Sequence, residues 1–377
     1  MNNKIKLAIT ALVGGTSCNL DCEYCYRKGQ GIKDRNTPAK FNYSVEHMLK
    51  ALSKERLGGN AIICICGGGE TLLPAEIVPL IKGLLKEGHV VDLISNLTLN
   101  KKIDELLDTP KEDLKRLILK ASFHYLELKR LNKLEDYFYN FNRLINAGAS
   151  GSPILTIYEE YIPLLDEIKN LCLEKINDLP HVTCAIDNFN TTMNPREFYK
   201  PDFVNKVKEQ FDSNVFTTFD ELLKDIPQKH FCYTGEWNFV LNLENGDVQK
   251  CFYAPVEQNI FKDKKSKKKY EPIGHNCPKP NCALNYNWHG MGIIPELNIM
   301  TYSKMLARKN TYSPEILEML DFKFSDFEKT YNEEEKIKIS QCVKDRYSQK
   351  KPLTLKNRLR LKIYNHLKKK LEKKGLL

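Results

Sequence analysis

Three cysteines stand close together near the start of this 377-residue chain, in the run Gly14-Gly15-Thr16-Ser17-Cys18-Asn19-Leu20-Asp21-Cys22-Glu23-Tyr24-Cys25-Tyr26. Their spacing, C-x3-C-x2-C, places three thiolates on one short loop, enough to ligate three irons of a cubane cluster. The fourth iron is then open to a small molecule. A zinc ion would want a fourth Cys or His nearby, and none is close in sequence. A second group follows much later. Cys232 and Cys251 flank Gly246 in the pattern C-x13-G-x4-C, and Cys277-Pro-Lys-Pro-Asn-Cys282 completes a set of four. Four thiolates can close a second cluster with no open iron, suited to passing electrons and not to binding substrate. By spacing alone, a structural zinc remains open for this second set.

The other cysteines read as core packing: Cys64 and Cys66, two apart on one strand face, and Cys172, Cys184 and Cys342. Twelve cysteines in 377 residues are too few for a disulfide scaffold. The N-terminal run MNNKIKLAITALVGG has a basic start and a short apolar stretch, but it passes straight into the cysteine motif. It reads as a first buried strand and not as a signal peptide. The expected compartment is therefore the reducing cytosol, where clustered cysteines suggest metal or catalysis. No run of about 18 apolar residues is present, so no membrane-spanning helix is expected.

The elements that must position these residues follow from patterning. Short apolar runs at 5–13, 61–66, 90–95, 117–122, 154–157 and 182–186 alternate with helical patterns such as 45–56 and 76–87. Six strand–helix units in a row predict an α/β fold, a parallel sheet closed or partly closed, with chemistry at the C-terminal strand ends. The special residues fall at those ends: Cys66-Gly67-Gly68-Gly69-Glu70 after the second run, Ser95-Asn96 after the third, Ser122-Phe123-His124 after the fourth. Residues 200–228 read as a helical linker. A Cys-, Gly- and Pro-rich module follows, with a hairpin over 237–251 turning at Asn245-Gly246. Residues 296–345 read as irregular helices.

The formal charge of +10 is confined to the C-terminus. Residues 350–377 carry eleven Lys or Arg and one acid, Glu372, while the rest of the chain sums to zero. Leu355, Leu359, Ile363, Leu367 and Leu371 form one apolar stripe on this basic segment, predicting an amphipathic helix over 353–374. Such a helix suits an anionic membrane surface, or packing of its stripe on the body. No aromatic-interleaved patch accompanies it, so nucleic acid is not expected as a partner.

The first motif, C-x3-C-x-aromatic-C, resembles the signature of the radical S-adenosylmethionine superfamily. The resemblance covers roughly residues 5–290, by the order of its motifs. It implies a partial (β/α)6 TIM-like barrel over 1–215, with a [4Fe–4S] cluster on Cys18, Cys22 and Cys25 that binds and cleaves S-adenosylmethionine. It further implies cofactor-binding roles for Tyr24, Gly68, Gly69, Glu70, Asn96 and Ser122, and an external flavodoxin- or ferredoxin-like electron donor. The C-x13-G-x4-C segment resembles the opening of SPASM and twitch modules. The further cysteines of a full SPASM module are missing, so the resemblance is to the shorter twitch module, over 225–295, with one auxiliary [4Fe–4S] cluster on Cys232, Cys251, Cys277 and Cys282. A helical extension, 296–377, completes the expected organisation.

The function these readings imply is a radical oxidoreductase acting on a small molecule, possible substrates including a sugar or a lipid-linked intermediate. The expected location is cytoplasmic, with peripheral membrane contact through the basic helix as one reading of the tail. The cysteine motif begins within 20 residues of the start, which leaves no room ahead of it for a peptide-recognition domain. Modification of a ribosomal peptide is therefore the second reading. A third, from another class, is a zinc-stabilised protein that binds RNA or a partner through its tail.

Overall fold

The computed structural model describes residues 4–29, 36–186, 199–225, 229–262, 271–279 and 281–349. The chain divides into two compact units, Met1–Thr330 and Tyr331–Leu377.

The first unit is built on nine strands: β1 (Ile5–Val13), β2 (Asn60–Gly67), β3 (Val90–Ser95), β4 (Leu117–Phe123), β5 (Ser150–Ile157), β6 (His181–Cys184), β7 (Asn238–Asn242), β8 (Asp247–Gln249) and β9 (Val256–Asn259). They form one sheet in the order β6-β5-β4-β3-β2-β1-β7-β8-β9. Pairing is parallel from β6 across to β7 and antiparallel only in β7–β8–β9. This is the mostly parallel α/β sheet of a partial TIM-like barrel. The strands of the cysteine-rich module continue the sheet at β1.

Alternation assigns each strand residue to one of two faces. Leu7, Ile9, Ala11 and Val13 of β1, and Leu117, Leu119, Ala121 and Phe123 of β4, face the helices and join one core with helix Ile77–Glu87. The intervening residues line the inner face in layers. Thr10, Cys64 and Asp92 are register partners across β1, β2 and β3. Ile94 pairs with Lys120, and Lys120 with Ser152. The inner face is covered by the segment that follows the second cysteine set, whose Tyr302 hydroxyl donates to Asp92 Oδ2 at 2.7 Å.

Two sequence expectations change in form. The helix expected over 45–56 is two helices, Val45–Ala51 and Lys54–Leu57, because Leu52 leaves helical geometry at φ −102°, ψ 13° and the chain restarts after Ser53. The expected helical linker over 200–228 is helical over its described residues, as helices Pro201–Phe211 and Asn214–Lys224, and it packs against the body instead of spanning between modules. Ser213 explains the second helix. Its Oγ accepts from Phe216 N as an N-cap and from Val182 N on β6, joining helix start to sheet edge. The expected hairpin forms between β7 and β8, with Gly246 at φ +81° against the Phe261 ring, where a Cβ would not fit.

The second unit opens with helix Glu333–Gln349. Asn332 and Glu335 cap it reciprocally, Glu335 N donating to Asn332 Oδ1 (2.9 Å) and Asn332 N to Glu335 Oε2 (3.0 Å). Cys342 is exposed on this polar helix and not packed in a core, a correction to its sequence reading. The helix has no apolar stripe wide enough to bury a thiol. The amphipathic helix expected over 353–374 lies outside the described residues. Among those described, no helix is long and apolar enough to cross a membrane.

Buried histidines make the fold acid-sensitive, His89 and His181 through fully assigned hydrogen bonds. His89 accepts from Ala61 N at Nδ1 (3.0 Å) and donates from Nε2 to Leu52 O (2.8 Å), which fixes its neutral tautomer. Burial, the main cause, pushes its pKa down to about 4. His181 donates to Leu306 O and faces Ser213 Oγ, and burial reinforced by the Arg308 charge pushes it down to about 3. Between pH 6.5 and these values the unfolded chain binds protons that the folded chain refuses. Stability from both residues is thus complete above pH 6.5 and lost as pH falls, with a slope approaching ~1.4 kcal/mol per pH unit for each. Urea unfolding midpoints at pH 7.5, 6.5 and 5.5 should fall mainly over the last interval, and H89Q/H181Q should lessen that fall, the remainder coming from His124 and His289, which burial also holds down to about 4.

Candidate active site

The loop after β1 carries Cys18, Cys22 and Cys25 and is tied to three neighbouring strand ends. The first tie is to β2. Glu70 N donates to the Ser17 carbonyl at 2.9 Å, and a Cβ on Gly69 would overlap that same oxygen. Only glycine allows this backbone contact. The second tie is to β3. Asn96 Nδ2 donates to Asn19 Oδ1 (2.9 Å), and Asn19 Nδ2 donates to Thr98 Oγ1 (2.6 Å), whose hydroxyl donates to Asn96 Oδ1 (2.7 Å). The third is to the helix after β4, Tyr125–Arg130, where Glu127 Oε1 accepts from Asp21 N at 2.7 Å. Arg130 holds the Glu127 carboxylate at 2.8 and 2.9 Å and, through those hydrogen bonds, keeps its pKa below the ordinary carboxylate value.

Glu70 is buried, and its carboxylate is already committed. Oε1 accepts from Ser95 Oγ (2.7 Å) and Leu72 N (3.0 Å), and Oε2 from Asn96 N (2.9 Å). Burial raises its pKa even so, because desolvation outweighs the three donors. Glu70 thus couples the end of β2 to the end of β3. Gly68 and Gly69 lie at the C-terminal end of β2, and Ser122 is half-buried one layer above Lys120 on the inner face of β4.

Tyr24 lies under Tyr158 and Tyr161, with ring centroids 4.6 and 6.0 Å away, and its hydroxyl hydrogen-bonds His124 Nδ1. Burial, with Tyr161 and Cys22 adding to it, raises the Tyr24 pKa well above its ordinary value, while burial pushes His124 down to about 4. Both groups are therefore neutral, and the imidazole tautomer sets which of the two donates. Cys22 is buried, and Cys18 and Cys25 are half-buried beside it in the loop. No disulfide forms among the described residues.

The second cysteine set is drawn together by the fold. Cys232, Cys251, Cys277 and Cys282, separated by up to fifty residues in sequence, all line one cavity, walled on the apolar side by Trp288 and Ile294. Burial pushes Cys232 up to about 11 and Cys251 up to about 12, and raises Cys277 and Cys282 as well. The thiols raise one another further wherever two are close. Cys232 and Cys251 are buried and Cys277 and Cys282 half-buried, and burial holds all four toward the neutral thiol. No three His, Cys, Asp or Glu side chains among the described residues converge tightly enough for a single ion.

Several residues of this arrangement escaped the sequence reading. Asn19 and Thr98 are common polar residues with no pattern to mark them. Glu127 had one signal, an acid four residues beyond the end of β4 with Arg130 one turn later. Lys120 had the strongest: a charge in the middle of the apolar strand LILKASF.

No curated relative matches the chain. Solved structures share its fold at low identity. Streptococcus suis SuiB bound to S-adenosylmethionine aligns at 14% identity and a TM-score of 0.50, covering 69% of this chain and 64% of SuiB. Native anSMEcpe with bound AdoMet aligns at 17% identity and a TM-score of 0.50, covering 68% of this chain and 79% of the other. The chain thus spans somewhat less than two thirds of SuiB's length. The stretch from β1 through β5, residues 12–158, which carries the three-cysteine loop and every strand end tied to it, matches the family model of the Radical SAM superfamily.

Proposed function

We propose that this chain is a radical enzyme that cleaves S-adenosylmethionine reductively and uses the resulting radical on a small molecule. The observation that carries this reading is the seating of the Cys18–Cys22–Cys25 loop on the glycine turn after β2, where Glu70 N meets the Ser17 carbonyl and Gly69 leaves no room for a side chain. It is supported by the family match and by the shared fold with SuiB and anSMEcpe, both solved with S-adenosylmethionine bound. Cys18, Cys22 and Cys25 would hold a [4Fe–4S] cluster. When bound, the cluster supplies one electron to the sulfonium of S-adenosylmethionine, giving methionine and a 5′-deoxyadenosyl radical that removes hydrogen from substrate.

The chain's own residues bind, orient and exclude water. Backbone groups of Gly68 and Gly69 would face the methionyl ammonium, and Asn96 and Ser122 would meet the ribose or carboxylate. Glu70 and Tyr24 act one step removed. Glu70 holds the two strand ends, and Tyr24 holds the last turn of the loop against His124. Cys232, Cys251, Cys277 and Cys282 would hold an auxiliary [4Fe–4S] cluster for electron transfer.

Anaerobic reconstitution tests the reading. The expected result is brown protein with about eight irons per chain, two cubanes' worth, that forms 5′-deoxyadenosine when reduced with S-adenosylmethionine. Colourless, zinc-loaded protein would overturn it. About four irons, with cofactor cleavage retained, would remove only the auxiliary cluster. A mass shift on a co-expressed peptide would replace the small molecule with a peptide substrate.

A further inference from the structure

The short helix after Cys25, Tyr26–Gly29, carries two cations. Lys28 is matched by Asp21 at 3.3 Å and Glu23 at 3.2 Å. Arg27 is not matched by an acid among the described residues. Its guanidinium meets the Gly15 carbonyl at 3.4 Å and the Tyr26 side chain, and its Nε is buried with no hydrogen-bond partner. The same guanidinium lies flat against Gly68. A Cβ there would come within 2.7 Å of Arg27 Cζ and would overlap Nη1. So Gly68 does two things: it frees the backbone of the turn and opens space that an arginine fork occupies.

A guanidinium partly withdrawn from water without a counter-ion is costly, and the cost is removed when an anion arrives. Its planar donor fork matches a carboxylate in particular. Arg27 sits where the cysteine loop and the glycine turn meet. We propose that Arg27, seated against Gly68, is the counter-ion for a carboxylate bound beside the glycine turn, that of S-adenosylmethionine. The assignment rests on the cofactor reading above and adds a recognition residue to it.

The test compares S-adenosylmethionine with decarboxylated S-adenosylmethionine, by equilibrium dialysis against the anaerobically reconstituted full chain. Arg27→Gln and Arg27→Met should each weaken S-adenosylmethionine binding at least about tenfold while changing the decarboxylated ligand less than about twofold. Arg27→Lys should recover most of the loss. Two neutral variants are used so that one which fails to load iron does not decide the matter. Equal weakening of both ligands would show that Arg27 only buttresses the loop, and would overturn the assignment. So would unchanged binding of both ligands, which would place the carboxylate or the arginine's partner elsewhere, on the substrate included. Wild-type chain that loads iron but binds neither ligand would overturn the cofactor reading, and this assignment with it.

Discussion

Lys120→Met is expected to destabilise the first unit by about 3–5 kcal/mol, the cost of leaving a buried charge without its partner. Lys120 Nζ lies 2.8 Å from Asp92 Oδ2, and their side chains are 4% and 1% exposed. Burial works against the ammonium, but the Asp92 charge overrides it and holds the Lys120 pKa well above the ordinary lysine value. The rings of Tyr286 and Tyr302 lie 5.3 and 5.2 Å from Nζ and add cation–π attraction. Asp92 would keep only the Tyr302 hydroxyl on Oδ2, and its Oδ1 has no partner even in the intact pair. The group as a whole need not stabilise the fold. Replacing it entirely, in K120M/D92L/Y302F, is expected to bring stability back to within about 2 kcal/mol of wild type. Urea unfolding at constant m-value checks both statements. A wild-type midpoint for Lys120→Met alone would show that the pair is not desolvated.

The cysteine variants are expected to separate the two sites. C18A/C22A/C25A should keep about four of eight irons and lose 5′-deoxyadenosine formation by at least about a thousandfold, since no thiolate remains to hold the cofactor's iron. C232A/C251A should lose the other four irons yet still form 5′-deoxyadenosine, with substrate conversion lost. Iron analysis and product chromatography on the same preparations give both readouts. Loss of all irons in C232A/C251A, with far-ultraviolet circular dichroism unchanged, would mean that the two sites do not load independently. Retained cofactor cleavage in the first variant would overturn the role of the loop.

Much of the barrel was legible because parallel strands are buried on both faces and so read as short apolar runs between helical patterns. Five of the six expected runs lie within a residue or two of strands β1, β2, β3, β4 and β6, and the fifth run, 154–157, is the C-terminal half of β5. The helices of segment 200–228 are legible, but their packing is not, because nothing local shows that Ser213 takes up Val182 N on a strand about thirty residues earlier. Helix 45–56 was misread as continuous because the break at Leu52 leaves no Gly or Pro to mark it.

The chemistry divides in the same way. The sequence by itself determined the ligand types, since three thiolates at C-x3-C-x2-C lie on one loop whatever the rest of the chain does. Local spacing also placed Gly68, Gly69 and Glu70 at a strand end. Only the tertiary structure decided what these residues do. It hydrogen-bonded the Glu70 carboxylate to Ser95 and Asn96, laid Arg27 against Gly68, joined Asn19 to Asn96, and set Lys120 beside Asp92. It also brought Cys232, Cys251, Cys277 and Cys282 to one cavity wall. The physical reason is that ligation by a single loop is a short-range property of the covalent chain. Charge pairing, desolvation and convergence of distant thiols depend on which strands become neighbours, and that is settled by burial of the whole sheet.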